Sequence, residues 1–210
     1  MLLLEFAMLR KVVTLALIVF LALPACGAAA SKPHSVQPLQ IGGKTFCTAF
    51  SIDEKNGNWA TAAHCALHGI EKVVTILGQE AYVVFVGYPE GDVAIFHSKA
   101  TAPALRLAEE EVAVGHQITI KGFPYGLPGL VTTVGTMAAL DMTLIHPDTG
   151  YFMRNNILDI TIAGGNSGSP VLNVQGEVIG VLWGGFSDSP HGIGVPYEVV
   201  KRLLGSFWQK

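Results

Sequence analysis

From Ile41 onward the chain is a succession of short apolar segments separated by turn signals, and this pattern constrains the fold more than any other feature. The dipeptide Asn56-Gly57, a strong hairpin signal, predicts that segments 45–51 and 59–63 pair as antiparallel strands. The same pattern predicts further strands at 73–77, 81–87, 93–97, 117–122, 130–137, 152–160, 169–172, 178–183 and 193–195. Regular short strands of this kind favour an all-β sandwich or barrel.

The period of the apolar residues changes after Pro196. Apolar side chains then recur at three- and four-residue spacing, which predicts a C-terminal amphipathic helix. An acidic loop at 109–111 separates two strand-rich halves, which we assign to residues 41–112 and 113–210.

The N-terminus has the pattern of an export signal. Arg10 and Lys11 precede an apolar run of 12 residues at 12–23, and small residues follow it. Twelve helical residues span about 18 Å, which is shorter than the ~30 Å hydrocarbon core of a bilayer. We therefore predict a signal peptide at 1–25, a polar, proline-bearing linker at 26–40, and a periplasmic or extracellular location.

Two interpretations of Cys26 stay open. Residues 23–26, Leu-Pro-Ala-Cys, resemble a bacterial lipobox, in which the cysteine becomes a lipid-bearing N-terminus and anchors the protein to a membrane. Pro24 departs from the usual small or β-branched residue of that motif. The alternative is ordinary cleavage near Gly27, which would discard Cys26.

Composition excludes some function classes. The formal charge is -3 and no Lys/Arg cluster is present, so nothing in the sequence would neutralise the phosphates of a nucleic acid. Apolar residues make up 50% of the chain, which is typical of a folded protein and unlike a disordered one. We expect no nucleic-acid partner and no cofactor.

Three short segments carry the chemistry. They centre on His64 (residues 61–65), Asp92 (91–95) and Ser167 (164–170, Gly-Gly-Asn-Ser-Gly-Ser-Pro). Each segment alone could be an ordinary turn or packing element. Their joint occurrence in the order His, Asp, Ser, at separations of 28 and 75 residues, indicates a catalytic triad.

This combination resembles the chymotrypsin-like serine peptidases. Bacterial glutamyl endopeptidases share the 164–170 stretch, Glu-Val-Ile-Gly at 177–180 and Trp-Gly-Gly at 183–185, while HtrA proteases are similar in triad spacing and at 192–196. The resemblance implies two six-stranded antiparallel β-barrels, with the active site in the cleft between them and a helix after the last strand. Residues 41–112 would form the first barrel and 113–210 the second.

The resemblance also implies a role for each residue. Ser167 would attack the amide carbonyl of a polypeptide substrate, His64 would act as general base, and Asp92 would orient the imidazole. The backbone N–H groups of Gly165 and Ser167 would form the oxyanion hole. The sequence thus predicts a serine endopeptidase that acts through an acyl-enzyme.

Cys47 and Cys65 would pair in a disulfide, as they do in many members of the family. A zinc site formed by these cysteines and His64 is the competing interpretation, but it lacks a CxxC or HxxxH partner motif, and we expect no metal. The remaining histidines have no motif context and are interpreted as ordinary surface or packing residues: His34, His68, His97, His116, His146 and His191.

The resemblance breaks at the specificity pocket. Glutamyl endopeptidases bind an acidic P1 side chain (the residue on the acyl side of the scissile bond) through a His and a Thr, where this sequence has Leu182 and Ile162. The position at the base of the predicted pocket is Thr161, so no acidic side chain stands there. Gly184 is the fourth residue predicted to bind the substrate. A buried carboxylate would lack compensation there. The sequence therefore predicts small or aliphatic P1 residues.

Two alternative functions can be weighed from the sequence. One is a catalytically silent binding protein with a protease fold, which the complete triad and glycine loop disfavour. The other is an α/β-hydrolase esterase, which would need Gly-x-Ser-x-Gly at a strand-to-helix turn. Ser167 is instead followed by a predicted strand.

Overall fold

The computed structural model describes residues 33–209, which all belong to one unit of the chain, Lys32–Lys210. The predicted signal peptide and Cys26 lie outside the described residues. Neither helix of the described part has the length and apolar character needed to cross a membrane.

Two closed six-stranded barrels follow one another along the chain, in the orders β1-β2-β3-β6-β5-β4 and β10-β11-β12-β9-β8-β7. The strands of the first barrel are β1 (Val36–Ile41), β2 (Lys44–Asp53), β3 (Asn58–Thr61), β4 (Val74–Ile76), β5 (Gln79–Val86) and β6 (Ala94–Ser98). Those of the second barrel are β7 (Gln117–Gly122), β8 (Val131–Ile145), β9 (Phe152–Asp159), β10 (Pro170–Leu172), β11 (Val178–Gly185) and β12 (Gly192–Pro196). All barrel pairs are antiparallel, which confirms the predicted fold class.

Two helices complete the fold. Helix α1 (Ala63–Gly69) follows β3, and α2 (Tyr197–Leu204) follows the last strand, with short 3-10 turns at Pro124–Gly126 and Gly205–Phe207. The predicted C-terminal helix is confirmed. Its buried residues, Tyr197, Val199, Val200 and Leu204, recur at the spacing that the sequence pattern indicated.

Each barrel has its own buried side chains. Large residues with almost no exposed surface fill the first barrel, among them Trp59, Phe50 and Phe96. The second barrel packs around Ile118, Met137, Leu158, Ile179 and Tyr197. Strands supply these side chains, apart from Tyr197 of α2, because alternate residues of a strand face the same side.

The predicted linker at 26–40 is wrong at its C-terminal end, because Val36–Ile41 forms strand β1. Val36 and Leu39 are buried, and β1 closes the first barrel by pairing with both β2 and β4. The sequence pattern did not indicate this strand, because Pro38 and two glutamines make the segment look like a polar linker. Its backbone nevertheless completes the barrel.

Sequence analysis also missed α1 and the length of β8. The predicted strand at 59–63 ends at Thr61, and the small residues that follow it start a helix instead. Strand β8 continues to Ile145, well beyond the predicted end at 137. This extension carries the end of the second barrel toward Asp92, which matters for the site.

Candidate active site

His64 and Asp92 form a doubly hydrogen-bonded pair in the first barrel. His64 lies in the first turn of α1, and Asp92 lies in the loop between β5 and β6. The His64 Nδ1–H donates to Asp92 Oδ2 at 2.8 Å, and the backbone N–H of His64 donates to Asp92 Oδ1 at 2.9 Å. Two bonds fix the ring plane, so the other ring nitrogen, Nε2, is left to accept a proton.

Asp92 is fully buried, and burial alone would raise the pKa of its carboxyl. Hydrogen bonds from His146 and His64, together with the charge of His64, outweigh that effect and hold the pKa well below its usual range. Asp92 is therefore a carboxylate at neutral pH. A fixed negative charge at this position stabilises an imidazolium on His64.

Ser167 lies in the loop between β9 and β10 of the second barrel. The first barrel anchors this loop: the Thr48 N–H donates to the Ser167 carbonyl at 2.8 Å, and the Thr48 hydroxyl donates to the Gly165 carbonyl at 2.7 Å. The sulfur of Cys65 lies 3.6 Å from His64 Nε2 and 3.8 Å from the Ser167 carbonyl oxygen. Ser167 is thus a neighbour of His64.

The Ser167 hydroxyl makes no hydrogen bond to the imidazole in this structure. It donates instead to the carbonyl oxygen of Trp183 at 3.1 Å. The structure therefore brings the three predicted residues into one place and forms the His64–Asp92 contact, while the Ser167 side chain has another orientation.

The backbone at Gly165 has a conformation that requires glycine. The Tyr125 N–H donates to the Gly164 carbonyl at 2.6 Å, and in a trans peptide the N–H of Gly165 then points the opposite way. Gly165 has φ +96°, and a Cβ there would lie 2.4 Å from the carbonyl oxygen of Phe123, so only glycine fits. Within residues 33–209, the N–H groups of Gly165 and Ser167 have no acceptor.

Sequence analysis treated His146 as an ordinary residue, but the structure places it on the other side of Asp92. Its side chain is 1% exposed, and Nε2 lies 3.0 Å from Asp92 Oδ2. The hydroxyl oxygen of Tyr88 lies 3.2 Å from the same nitrogen. No motif in the sequence indicates this role for His146. The residue stands 54 positions from Asp92, at the end of a strand that extends further than predicted.

The predicted substrate-binding residues are spread over several environments. Gly184 lines a cavity of about 490 Å³ beside His64, together with Trp183, Pro147 and other residues. Thr161 is exposed, and Leu182 is buried in the core of the second barrel. Leu182 reaches the site through its backbone, since its carbonyl accepts the Gly168 N–H at 2.7 Å.

Ile162 packs over two paired glycines of the second barrel, Gly185 of β11 and Gly192 of β12. A Cβ on Gly185 would meet Ile162 Cδ1 at 2.5 Å, and one on Gly192 would meet Ile162 Cγ2 at 3.4 Å. The strand pair is thus covered at these glycines by an apolar side chain.

Two groups of potential metal ligands come together among the described residues. Cys47 and Cys65 form the disulfide that the resemblance implied, so they supply no thiolate for the competing zinc site. The donor atoms of His64, Asp92 and His146 lie within 4.8 Å of one another, but the two imidazole–carboxylate hydrogen bonds account for that cluster.

Comparison with known proteins agrees with this geometry. Residues 47–181 match the trypsin-like peptidase domain family. A probable periplasmic DegP-like serine endoprotease of Halomonas elongata is 32% identical over 174 residues, which cover 80% of this chain and 34% of that protein. A glutamyl endopeptidase of Staphylococcus aureus is 31% identical over 127 residues, covering 55% of this chain and 36% of that protein.

Solved structures show the same fold. The active form of the Rv3671c protease from M. tuberculosis has a TM-score of 0.67 at 22% identity, covering 87% of this chain and 84% of that one. The chain spans about a third of the length of the curated relatives that it matches. The family match covers more than half of the sequence, and the chain belongs to the trypsin-like peptidase domain family.

Proposed function

We propose that this protein is a serine endopeptidase that hydrolyses polypeptides through an acyl-enzyme on Ser167. The observation that carries the proposal is the His64–Asp92 pair, joined by two hydrogen bonds of 2.8 and 2.9 Å beside the Ser167 loop. His64 is the general base and Asp92 its orienting carboxylate. The side chain of His64 is 28% exposed, so a substrate can reach it, whereas Asp92 is sealed from water.

Catalysis begins with a rotation of the Ser167 side chain from the Trp183 carbonyl toward His64 Nε2. Ser167 is partly exposed, and such rotations take place in picoseconds to nanoseconds. The hydroxyl oxygen then bonds to the substrate carbonyl carbon while its proton passes to Nε2. Asp92 stabilises the imidazolium that this transfer creates.

The tetrahedral intermediate carries its negative charge on the former carbonyl oxygen. The N–H groups of Gly165 and Ser167, which have no acceptor in the described part of the chain, would donate to that oxygen. When the intermediate collapses, the C–N bond breaks and His64 returns the proton to the leaving amine. Water, deprotonated by His64, then releases the acid from Ser167 by the same steps.

The specificity that we propose is for small or aliphatic P1 residues. Ile162 packs over Gly185 and Gly192, so an ionised side chain entering there would be desolvated against an apolar group. A peptide library is expected to show Ala, Val or Leu at P1. A profile dominated by Glu or Arg would overturn this specificity and leave the triad untouched.

We also propose that the protein is exported. The N-terminal pattern supports export, and a DegP-like relative is named as periplasmic. Mass spectrometry of the mature N-terminus tests cleavage. Labelling with a radioactive fatty acid, compared between the wild type and Cys26→Ala, tests the lipid: label on the wild type alone supports an anchor, and no label removes it.

The proposed activity is tested by reaction with a fluorophosphonate probe and by hydrolysis of casein. We expect the wild type to be labelled and active, and Ser167→Ala to lose both properties. Ser187→Ala is the matched control, since Ser187 is an exposed serine of the cavity beside His64. A folded wild type that neither reacts nor hydrolyses casein would favour the catalytically silent binding protein instead.

A further inference from the structure

We infer that His146 is a positioning residue, which reaches from the second barrel to hold the Asp92 carboxylate for His64. This inference rests on the proposed function, because it assigns Asp92 to the triad. Asp92 Oδ2 accepts from both imidazoles, at 2.8 Å from His64 Nδ1 and 3.0 Å from His146 Nε2. The two histidines flank a single oxygen, but they come from different barrels.

The hydrogen bonds of His146 define which of its nitrogens carries the proton. The backbone N–H of Asp148 donates to Nδ1 at 3.3 Å, so Nδ1 acts as an acceptor. In a neutral imidazole the other nitrogen then bears the hydrogen. Nε2–H therefore donates to Asp92, as a carboxylate requires.

The surroundings of His146 leave its ring little freedom. The ring packs edge-on against Tyr88 at 5.4 Å between centroids and lies 4.7 Å from the Trp183 ring. Its backbone is held by the Tyr151 carbonyl at 2.8 Å and by the Gly150 N–H at 2.9 Å. A buried donor so constrained positions its acceptor, because neither ring nor backbone can follow a displaced carboxylate.

Tyr88 strengthens the same arrangement. Burial, the charge of Asp92 and a hydrogen bond to Asp92 raise the pKa of the Tyr88 hydroxyl far above its ordinary value. Tyr88 thus stays protonated, and its hydroxyl oxygen lies 3.2 Å from His146 Nε2. The Asp92 carboxylate is held by His64 on the catalytic side and by His146 on the opposite side.

His146 also connects the carboxylate to the nucleophile. Trp183, whose ring packs on His146, supplies the carbonyl that accepts the Ser167 hydroxyl at 3.1 Å. Loss of the His146 ring would therefore loosen Asp92 and remove a packing partner of the residue that holds Ser167. Both changes affect the alignment of the triad. His146 also lines the cavity beside His64, but only 1% of its side chain is exposed, so its loss should change substrate binding little.

The test compares His146→Gln, whose amide N–H₂ can take the place of Nε2–H, with His146→Leu, which cannot donate. We expect His146→Leu to lower kcat about 10- to 100-fold with KM nearly unchanged, the loss typical of a hydrogen bond to a charged group. His146→Gln should recover most of that loss. His116→Gln is the control, because His116 is an exposed histidine of the same barrel.

The low-field proton resonance of the His64 Nδ1–H gives a second readout. We expect it to shift or broaden in His146→Leu and to return toward the wild-type position in His146→Gln. A purely structural role for His146 predicts equal losses in both variants, in proportion to their loss of thermal stability, and that result would overturn the inference. Wild-type kcat in His146→Leu would overturn it as well.

Failure of the proposed function would have a different signature. In that case the wild type itself would be unreactive toward the fluorophosphonate, or Ser167→Ala would stay active. A reactive wild type with an unaffected His146→Leu rejects only the role of His146.

Discussion

The two barrels have the same strand topology but make unlike contributions to the site. The first barrel supplies the hydrogen-bonded His64–Asp92 pair, and a disulfide from β2 to α1 ends at Cys65, directly after His64. The second barrel supplies Ser167 and Gly165 from a loop whose backbone requires a positive φ. One barrel thus provides buried electrostatics, and the other provides a shaped backbone.

Each barrel anchors the reactive group of the other. Thr48 of the first barrel bonds to the carbonyls of Ser167 and Gly165, and His146 of the second barrel lies against Asp92. Neither half contains a complete site. The alignment of the catalytic groups therefore depends on contacts between the barrels. Changes in the first barrel should act on the charge beside His64, and changes in the second on the backbone around Ser167.

The largest effect is expected for Asp92→Asn, which removes the buried negative charge that the first barrel contributes to the site. An amide at this position would donate to His64 Nδ1 and favour the wrong tautomer, so kcat should fall about 10⁴-fold. The steady-state rate with casein measures this loss. Asp159→Asn, which changes an exposed carboxylate, should retain wild-type activity. Equal activity of the two variants would remove Asp92 from the mechanism.

The second effect concerns the shaped backbone of the second barrel. Gly165→Ala should lower kcat about 10²- to 10³-fold, because the new Cβ would meet the Phe123 carbonyl at 2.4 Å and turn the N–H away from the oxyanion. Gly164→Ala is the matched control, since a Cβ on Gly164 meets no atom within 4 Å. If Gly164→Ala is as impaired as Gly165→Ala, the orientation of the Gly165 N–H is not the cause.

The fold was largely predictable because most of its strands alternate visibly and end in turn residues. Strand β7 coincides with its predicted range, and α2 follows Pro196 as expected. Strand β1 was not predictable, because it is a strand through its pairing with β2 and β4 and not through its own composition. Local pattern cannot show pairing between distant segments.

The site was predictable only where a motif carries it. His64, Asp92 and Ser167 stand in recognisable segments, and the structure brings their segments together. His146 and Tyr88 stand in none, and their positions follow from the length of β8 and from barrel packing. The orientation of the Ser167 hydroxyl toward Trp183 was equally invisible, since it depends on a rotamer.

The third effect concerns stability and tests the Cys47–Cys65 disulfide, which belongs to the first barrel. Replacing both Cys47 and Cys65 by Ala opens a link across a sequence separation of 18, which should lower the free energy of unfolding by about 3 kcal/mol. Urea unfolding measures the change, and Cys26→Ala, which leaves the disulfide intact, should match the wild type.

Amide hydrogen exchange sharpens this test. The second barrel contains no cysteine, so faster exchange in the double variant should begin in β2 and α1 of the first barrel. Exchange that rises equally in both barrels would contradict the localised role of the disulfide.

The smallest effect is a pH dependence of stability, which arises where His146 of the second barrel meets Asp92 of the first. The pKa of Asp92 lies below its usual range in the folded protein, whereas an unfolded Asp titrates near pH 3.9. Ionised Asp92 therefore stabilises the fold fully above about pH 4, and this contribution disappears as the pH falls further toward the folded pKa, with about 2 to 3 kcal/mol lost by pH 2. Urea midpoints between about pH 5 and pH 2 should decline more steeply in the wild type than in Asp92→Asn. Ser167→Ala, which removes no titrating group, should decline like the wild type, and parallel curves for all three proteins would show that the Asp92 carboxylate gains nothing from its donors.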